Sequence, residues 1–203
     1  MSRSPKVVFD VGNVLLRWDP FHLYRDVIPD DAKRDWFLNN VCTAAWNIEQ
    51  DRGRSWTDAV ALLVAEHPEW EREIRAFDER WHETVPGVIE DSVAVLAELK
   101  AKGEQVYAIT NFSREKWAEC LVRFPFLRSF DGAIVSAHER LLKPDPAIYH
   151  VLIERYGLDV SDCIFIDDSE KNVAGARSVG MQAVHFREPI DLRGELRALG
   201  AAL

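Results

Sequence analysis

The sequence has few cysteines and no long apolar run, and both scarcities limit what the protein can be. Three cysteines occur in 203 residues, Cys42, Cys120 and Cys163, and they form no CxxC pair. An odd number of widely spaced thiols argues against a disulfide framework. Apolar runs stay well short of the roughly 18 residues that a transmembrane helix needs, and the start shows no signal-peptide pattern. We therefore expect a reduced, cytoplasmic protein without a membrane partner.

Basic residues are also in the minority. The chain has 25 Lys and Arg against 34 Asp and Glu, a formal net charge of −9. An acidic surface repels nucleic-acid phosphates, so we expect no nucleic-acid partner. The patterns GxGxxG, GxxxxGK[ST], GxSxG and HExxH are all absent from the sequence. Nicotinamide sites, P-loops, serine hydrolases and zinc peptidases are therefore disfavoured.

What the sequence does contain is an alternation of short apolar segments with amphipathic helical patterns. The apolar segments are rich in β-branched residues and predict buried strands over 6–10, 105–110, 132–136, 163–167 and 182–186. The helical patterns between and after them cover 91–102, 113–124, 144–156 and 168–179. Such alternation predicts an α/β fold: a doubly wound, parallel, five-stranded (Rossmann-like) sheet with helices on both faces.

A helical insert interrupts this alternation after the first strand. Five helices are predicted there, over 21–28, 31–41, 45–50, 55–66 and 69–83. We therefore predict an all-helical cap over 16–85, and a discontinuous α/β core formed by 1–15 and 86–203. The insert holds six of the seven tryptophans. Most of them are expected to form the core of a small bundle, and a minority to line a cleft facing the sheet.

Polar residues follow four of the predicted strands, at the sheet edge where ligands bind in open α/β folds. These residues are Asp10 and Gly12, Thr110 and Asn111, Lys143, and the pair Asp167 and Asp168. Two carboxylates about 4 Å apart repel by roughly 4 kcal/mol at an effective dielectric near 20, so the acidic cluster needs a cation. Oxygen ligands suit Mg²⁺, and the whole set suits phosphoryl transfer through an aspartyl nucleophile. Each residue alone could equally be a turn former or helix cap; their occurrence at successive strand ends favours function.

Four segments carry a family resemblance: VVFDVGNVL, AITN, LLKPDPAIY and IFIDDSEKNVAGA. They resemble the four motifs of the haloacid dehalogenase-like (HAD) hydrolase superfamily, and the insert lies where members with a cap between the first and second motifs carry it. The resemblance implies that Asp10 is the nucleophile and a metal ligand. It implies phosphate binding by Thr110 and the Asn111 amide, and neutralisation of nucleophile and phosphate by Lys143. Mg²⁺ would be held by Asp10, Asp167, Asp168 and the Gly12 carbonyl.

The sequence departs from the phosphatase pattern at Gly12. Most such phosphatases have a second aspartate there, as general acid and base, and this DxGN variant resembles a subgroup that includes sugar-phosphate phosphatases. Asp19 is a candidate substitute, although its WDP context is more typical of a turn or helix cap. A glycine would also be required at position 12 if the main chain of this turn has a positive φ there.

Three functions remain open at this point. We predict a Mg²⁺-dependent phosphatase that acts on a small phosphorylated metabolite through an aspartyl-phosphate on Asp10, with sugar phosphates among the candidate substrates. The first alternative is a 2-haloacid dehalogenase, which uses the same nucleophile and displaces halide without a metal. Such enzymes also lack the second aspartate, which favours this alternative. The Asp167–Asp168 pair disfavours it. The second is a catalytically degenerate binding protein of this fold.

In the cap, Trp46, Arg52 and Arg54 are the candidate substrate contacts, because an arginine pair in an otherwise acidic segment could attract an anion. Two arginines at this spacing are more often simply solvated. A monomer and a homodimer are both compatible with the sequence.

Overall fold

The chain is described by a computed structural model over residues 4–203. The strands in that range are β1 Lys6–Phe9, β2 Leu16–Arg17, β3 Gly87–Val88, β4 Val106–Thr110, β5 Gly132–Val135, β6 Cys163–Asp167 and β7 Gln182–His185. The first helices are α1 Pro20–Val27, α2 Asp31–Asn40, α3 Ala44–Asp51, α4 Trp56–Glu66, α5 Glu71–Glu79 and α6 Glu90–Ala101. The later ones are α7 Arg114–Arg123, α8 Ser136–Glu139, α9 Pro146–Tyr156, α10 Glu170–Ser178 and α11 Leu192–Ala198.

Five strands form a parallel sheet in the order β5-β4-β1-β6-β7. Its three inner strands are almost completely buried, because helices cover both faces; this is why they read as continuous apolar runs rather than alternating patterns. Val7 and Phe9 of β1 pack in one apolar cluster with α6 and α11, whereas Val8 packs in the other with α9 and α10. The predicted fold class is confirmed.

The insert leaves and re-enters the sheet domain through a short antiparallel ribbon. Leu16 of β2 pairs with Val88 of β3, and Arg17 pairs with Gly87. Two residues per strand are too few to produce an alternating pattern, so the sequence did not predict the ribbon. Residue 16, the predicted start of the cap, is the first residue of β2, and residue 85, its predicted end, comes two residues before β3.

Helices α1 to α5 occupy the insert, and each of the first four begins at a capping side chain. Asp19, Asp30, Thr43 and Ser55 accept hydrogen bonds from main-chain N–H groups of the following turn. The ring of Tyr24 packs against Phe37 and Phe77 at centroid distances of 5.0 and 5.7 Å. The bundle core is continuous with the apolar cluster on the α6 face of the sheet.

Three helix predictions need correction. The single helix expected over 69–83 is a 3₁₀ turn at Pro68–Trp70, then α5, then a second 3₁₀ turn at Trp81–Thr84. That last turn is closed by Thr84, whose hydroxyl donates to the Trp81 carbonyl at 2.7 Å. Helices expected from 144 and 168 begin two residues later, because Asp145 caps α9 and the Asp167 carboxylate binds the Ser169 N–H. The short helix α11 was not predicted.

Candidate active site

Asp10 follows β1 at the carboxyl edge of the sheet. Its N–H donates to the Ile166 carbonyl at 2.8 Å, which ties it to β6. Its Oδ1 accepts from the Val11 N–H at 2.7 Å and lies 2.8 Å from Nζ of Lys143. The residue is 7% exposed. Main chain and ammonium together fix the Asp10 carboxylate in one orientation at the edge.

Lys143 is the centre of the charge arrangement. Its buried Nζ also lies 2.6 Å from Oδ2 of Asp167, so it bridges two carboxylates. The Asn111 side chain holds its main chain: Oδ1 accepts from the Lys143 N–H at 2.9 Å, and Nδ2 donates to the Lys143 carbonyl at 3.1 Å. Burial alone would lower the pKa of Lys143, but the charges of Asp10 and Asp167 raise it above its ordinary value. The lysine is therefore a fixed cation.

The acid pair at the end of β6 completes the cluster. Asp167 accepts from the Ser169 N–H at 2.8 Å and from Nδ2 of Asn172 at 3.0 Å. The Asn13 side chain lies beside the Asp168 carboxyl. One carboxylate oxygen from each of Asp10, Asp167 and Asp168 lies within 4.8 Å of the others. Three carboxylates therefore converge where one ammonium is available.

Burial and this excess of negative charge together raise the pKa values of two of the carboxyl groups. Burial raises the pKa of Asp10, and the nearby charges of Asp167 and Asp168 add to the rise against the lowering by Lys143. Burial and Asp167 likewise raise the pKa of Asp168. A divalent cation with oxygen ligands would relieve this repulsion, so the donor set fits Mg²⁺.

Thr110 is a residue of the sheet edge whose buried hydroxyl has no hydrogen-bond partner among the described residues. It ends β4, next to β1, and is 1% exposed. Its Oγ1 has no hydrogen-bond partner anywhere in residues 4–203. A buried hydroxyl left unpaired costs on the order of 1–3 kcal/mol, so such a group requires an explanation, and a ligand that binds to it is one. At this edge the hydroxyl is available to an incoming oxyanion.

The turn after β1 corrects the expectation that Gly12 serves a positive φ. The positive φ, 52°, belongs to Asn13, a residue type that tolerates this conformation. A Cβ built on Gly12 would have no atom within 4 Å. Asn13 also accepts from the Trp18 N–H at 2.9 Å through Oδ1. Asp19 is occupied as the cap of α1, accepting from the Phe21 N–H at 2.9 Å.

A cavity of about 160 Å³ opens beside this edge, between the sheet and the insert. Its walls are mainly aromatic and apolar, with amides at the sheet side and one carboxylate from α3. They comprise Gly12, Asn13, Leu16, Trp18, Asn47, Asp51, Trp56, Trp81, Val85, Asn111, Phe112 and Ser113. Three of the insert's tryptophans therefore face a cleft, while Trp46 packs in the bundle core.

Comparison with known proteins identifies the family. The sequence model described as haloacid dehalogenase-like hydrolase matches residues 7–180. The chain belongs to the HAD-like hydrolase family. The predicted family and enzyme class, a HAD-like hydrolase related to phosphatases, are thereby confirmed.

Relatives of this HAD-like hydrolase include named phosphatases. The fructose-1-phosphate phosphatase YqaB of Escherichia coli is 26% identical over 92% of this chain and 98% of its own. The sesquiterpene phosphatase AstK of Aspergillus oryzae is 32% identical over 52% of this chain and 54% of its own. The chain spans about half or less of the length of several curated relatives that it matches.

Solved structures show the same fold. A HAD family enzyme of Bacteroides thetaiotaomicron, crystallised with magnesium and inorganic phosphate, superposes with a TM-score of 0.77 at 20% identity. The superposition covers 95% of this chain and 99% of the other. Within residues 4–203, no helix of this HAD-like hydrolase is long and apolar enough to cross a membrane.

The structure brings together the predicted site residues of the sheet but not those of the cap. Arg52 is paired with Glu49 at 3.4 Å, on the surface. Arg54 donates to Oε1 of Gln50 at 2.8 Å and to the Trp46 carbonyl at 2.9 Å. Trp46, Arg52 and Arg54 do not line the cavity, so their contact with substrate stays a prediction.

The cap residues that do face the cavity are Asn47 and Asp51, neither of which is among the candidate substrate contacts predicted from the sequence. They are four residues apart on α3 and therefore share one helix face. Helical spacing within the segment WNIEQD could have paired them. Nothing in the pattern, however, showed which face of the helix turns toward the sheet.

Proposed function

We propose that this protein is a Mg²⁺-dependent phosphomonoesterase that works through an aspartyl-phosphate on Asp10. The observation that carries the proposal is the unpaired buried hydroxyl of Thr110. Thr110 ends β4, which pairs with β1, and Asp10, the residue after β1, is paired with Lys143. An oxyanion with several acceptor oxygens is the ligand that would satisfy Thr110 and lie against the Lys143 ammonium together.

The proposed first step forms a bond between a carboxylate oxygen of Asp10 and phosphorus. The bond from phosphorus to the ester oxygen breaks, and that oxygen leaves with the electron pair and takes a proton. Lys143 balances charge at the nucleophile, while Thr110 and the Asn111 N–H donate to phosphoryl oxygens. Water then attacks phosphorus, which releases inorganic phosphate and regenerates Asp10.

The metal site in this proposal is the cluster of three carboxylates, with the Gly12 carbonyl as a further ligand. Mg²⁺ bound there would neutralise the carboxylates and polarise the phosphoryl group. Asn172 and the Ser169 N–H hold Asp167 in place. The Asn13 side chain lies beside Asp168. The ligands are thus oriented before the metal binds.

For the substrate, the cavity favours a small monophosphate ester with an uncharged organic group. The rings of Trp18, Trp56, Trp81 and Phe112 offer flat apolar surface. The single ionisable side chain on the walls within residues 4–203 is Asp51, so the walls offer no cation to hold a second anionic group. The names of AstK and YqaB, a sesquiterpene and a sugar-phosphate phosphatase, fit such esters, and sugar phosphates remain candidates.

The test is release of inorganic phosphate from a panel of terpenyl, aryl and sugar monophosphates, with Mg²⁺ or with EDTA. Native protein should turn over at least one class with Mg²⁺ only. Asp10→Asn, which removes the nucleophile at constant size, should lose at least about 10³-fold in kcat/KM. Asp35→Asn, an exposed acid on α2, is the matched control and should match native protein.

The same assay separates the phosphatase from the dehalogenase, which the missing acid at Gly12 would also suit. Halide release from a 2-haloacid in EDTA, without phosphate release in Mg²⁺, would overturn the proposal. Full activity of Asp10→Asn would overturn the assignment of the nucleophile.

A further inference from the structure

The proposed reaction requires a proton donor that the turn after β1 does not supply. The leaving oxygen needs a proton, and the residue two positions after Asp10 is Gly12, which has no side chain. Asp19 is occupied in capping α1. Among residues 4–203, the cavity walls include a single titratable side chain, Asp51.

Asp51 is the last residue of α3, and the sheet domain holds it at the cavity. The Ser136 hydroxyl donates to the Asp51 carbonyl at 2.6 Å and accepts from the Phe112 N–H at 2.9 Å. This one hydroxyl, directly after β5, therefore links the end of α3 to the loop after β4. The Ser113 N–H lies beside the Asp51 carboxyl.

The neighbouring segment of the cap is fastened to the same loop. Nε1 of Trp56 donates to the Ser113 hydroxyl at 2.8 Å, and the Trp56 N–H donates to Oε1 of Glu115 at 3.2 Å. Asp51 and Gly12 thus line one cavity, one from the cap and one from the core.

We propose that Asp51, supplied by the cap, is the general acid and base of this active site. This proposal rests on the proposed phosphatase function. The protonated Asp51 carboxyl gives its proton to the ester oxygen as that oxygen leaves phosphorus with the bonding electron pair. The resulting Asp51 carboxylate takes a proton from the water that attacks the aspartyl-phosphate, which frees the Asp10 carboxylate and restores the acid.

The environment of Asp51 suits both roles. Burial raises its pKa to about 7, against the lowering by the positive charge of Lys143 and the Ser113 N–H. Lys143 is the charged group that acts on it from the sheet edge. On its own helix Glu49 is paired with Arg52, and from α7 Glu115 is turned to Trp56. A group with this pKa holds both protonation states near neutral pH, as acid–base catalysis requires.

The test compares Asp51→Asn with native protein on esters that differ in leaving-group basicity. p-Nitrophenyl phosphate needs little protonation of its leaving oxygen, whereas phenyl phosphate and an alkyl phosphate need much. Loss of a general acid should cost about 10²–10⁴-fold in kcat/KM on phenyl phosphate and less than about tenfold on p-nitrophenyl phosphate. The matched control is Glu49→Gln, on the same helix but facing solvent, which should leave both rates unchanged.

Rescue provides the sharper result. Because a Cβ at position 12 would meet no atom within 4 Å, Gly12→Asp can be added to Asp51→Asn. The double variant should recover at least about tenfold of the phenyl phosphate activity that Asp51→Asn loses. An equal loss on all esters, or no loss on any, would overturn the role of Asp51.

Two further outcomes keep the hypotheses apart. If native protein with Mg²⁺ releases no phosphate from any ester, the phosphatase proposal itself fails. If Asp51→Asn does not fold, Gly12→Asp alone decides: it should leave the leaving-group dependence of native protein unchanged. A selective gain of tenfold or more on phenyl phosphate would show that the native site lacks an acid and would overturn the inference.

Discussion

Two buried polar side chains of the site, Asp167 and Thr110, differ in their hydrogen bonding: the first has several partners and the second has none in residues 4–203. Asp167 is bound by the Lys143 ammonium, the Ser169 N–H and the Asn172 amide. The Thr110 hydroxyl binds nothing in residues 4–203. A side chain that positions others is stabilised by its contacts, whereas a group reserved for a ligand carries a desolvation penalty until the ligand arrives. The two therefore respond differently to substitution.

Thr110→Val should separate stability from function. The change removes an unpaired buried hydroxyl at nearly constant shape, so the free energy of unfolding should stay equal or rise by up to ~1 kcal/mol. Phosphate affinity and kcat/KM should both fall by tenfold or more. Chemical unfolding, phosphate titration by calorimetry and the phosphate-release assay measure the three quantities.

Thr84→Val is the matched control, because the Thr84 hydroxyl is equally buried but donates to the Trp81 carbonyl at 2.7 Å. It should destabilise the protein by about 1–2 kcal/mol without weakening phosphate binding. If Thr110→Val destabilised as much as Thr84→Val, the hydroxyl of Thr110 would have a structural partner after all.

At the scale of elements, α10 supports the site because it packs closely against the main chain next to Lys143. A Cβ on Gly175 would lie 2.7 Å from the Pro144 carbonyl oxygen and 3.1 Å from the Tyr149 hydroxyl. Tyr149 in turn donates to the Asn172 carbonyl at 2.8 Å, which joins α9 to α10. Glycine therefore lets α10 lie directly against the residue that follows Lys143.

Gly175→Ala should be destabilising although alanine is the better helix former. Helix propensity favours alanine by about 1 kcal/mol. Displacing a main-chain carbonyl from 2.7 Å outweighs this, so a net loss of about 1–3 kcal/mol in unfolding free energy is expected. Because the displaced atom adjoins Lys143, kcat should fall too. Gly87→Ala, where a Cβ meets no atom within 4 Å, should change stability by less than ~0.5 kcal/mol. A Gly175→Ala protein as stable and active as Gly87→Ala would contradict this.

The sequence predicted the elements that repeat a pattern and missed those set by tertiary contacts. The five sheet strands were found within one residue at each end, since buried strands are uninterrupted apolar runs. The β2–β3 ribbon and α11 are too short to show periodicity. The break in the helix predicted over 69–83 comes with the ion pair of Arg80 to Asp26, residues too far apart in the sequence for a local pattern to reveal the contact.

The same division holds for the site. Asp10, Lys143 and the acid pair were predicted because strand order alone brings strand ends to one edge. Asp51 and Asn47 lie on a helix whose orientation toward the sheet depends on how the insert packs. The structure supplies that orientation through Ser136 and Trp56.

At the scale of the whole molecule, two sets of carboxyl groups oppose each other as the pH changes. Hydrogen bonds from arginines lower the pKa of Glu83 and Glu188, so these surface groups stabilise the fold above their unfolded pKa and lose that effect in acid. Burial raises the pKa of Asp10 and Asp51, so the folded state binds their protons more tightly than the unfolded state does. That contribution is present in full below about pH 4 and is lost as the pH rises through the folded pKa.

The metal-free protein should therefore be most stable near pH 5, and its melting temperature in EDTA should fall between about pH 5 and pH 8. Mg²⁺ binds deprotonated carboxylates, so its stabilising effect should grow over the same range and oppose the fall. Differential scanning calorimetry with EDTA or Mg²⁺ at each pH measures both trends. A gain from Mg²⁺ that is independent of pH, or absent, would contradict the placement of the metal among these carboxylates.

The position of β1 has a consequence for amide hydrogen–deuterium exchange. Its main chain is bonded on both sides, to β4 and to β6, at the middle of the sheet. Such amides exchange only when the whole domain unfolds, whereas helices joined through a two-residue ribbon can open separately at lower free energy. We therefore expect the slowest amide exchange in β1, which precedes Asp10, and faster exchange in α3, which contains Asp51. Deuterium uptake in α3 should respond to a bound phosphate analogue while β1 stays protected throughout.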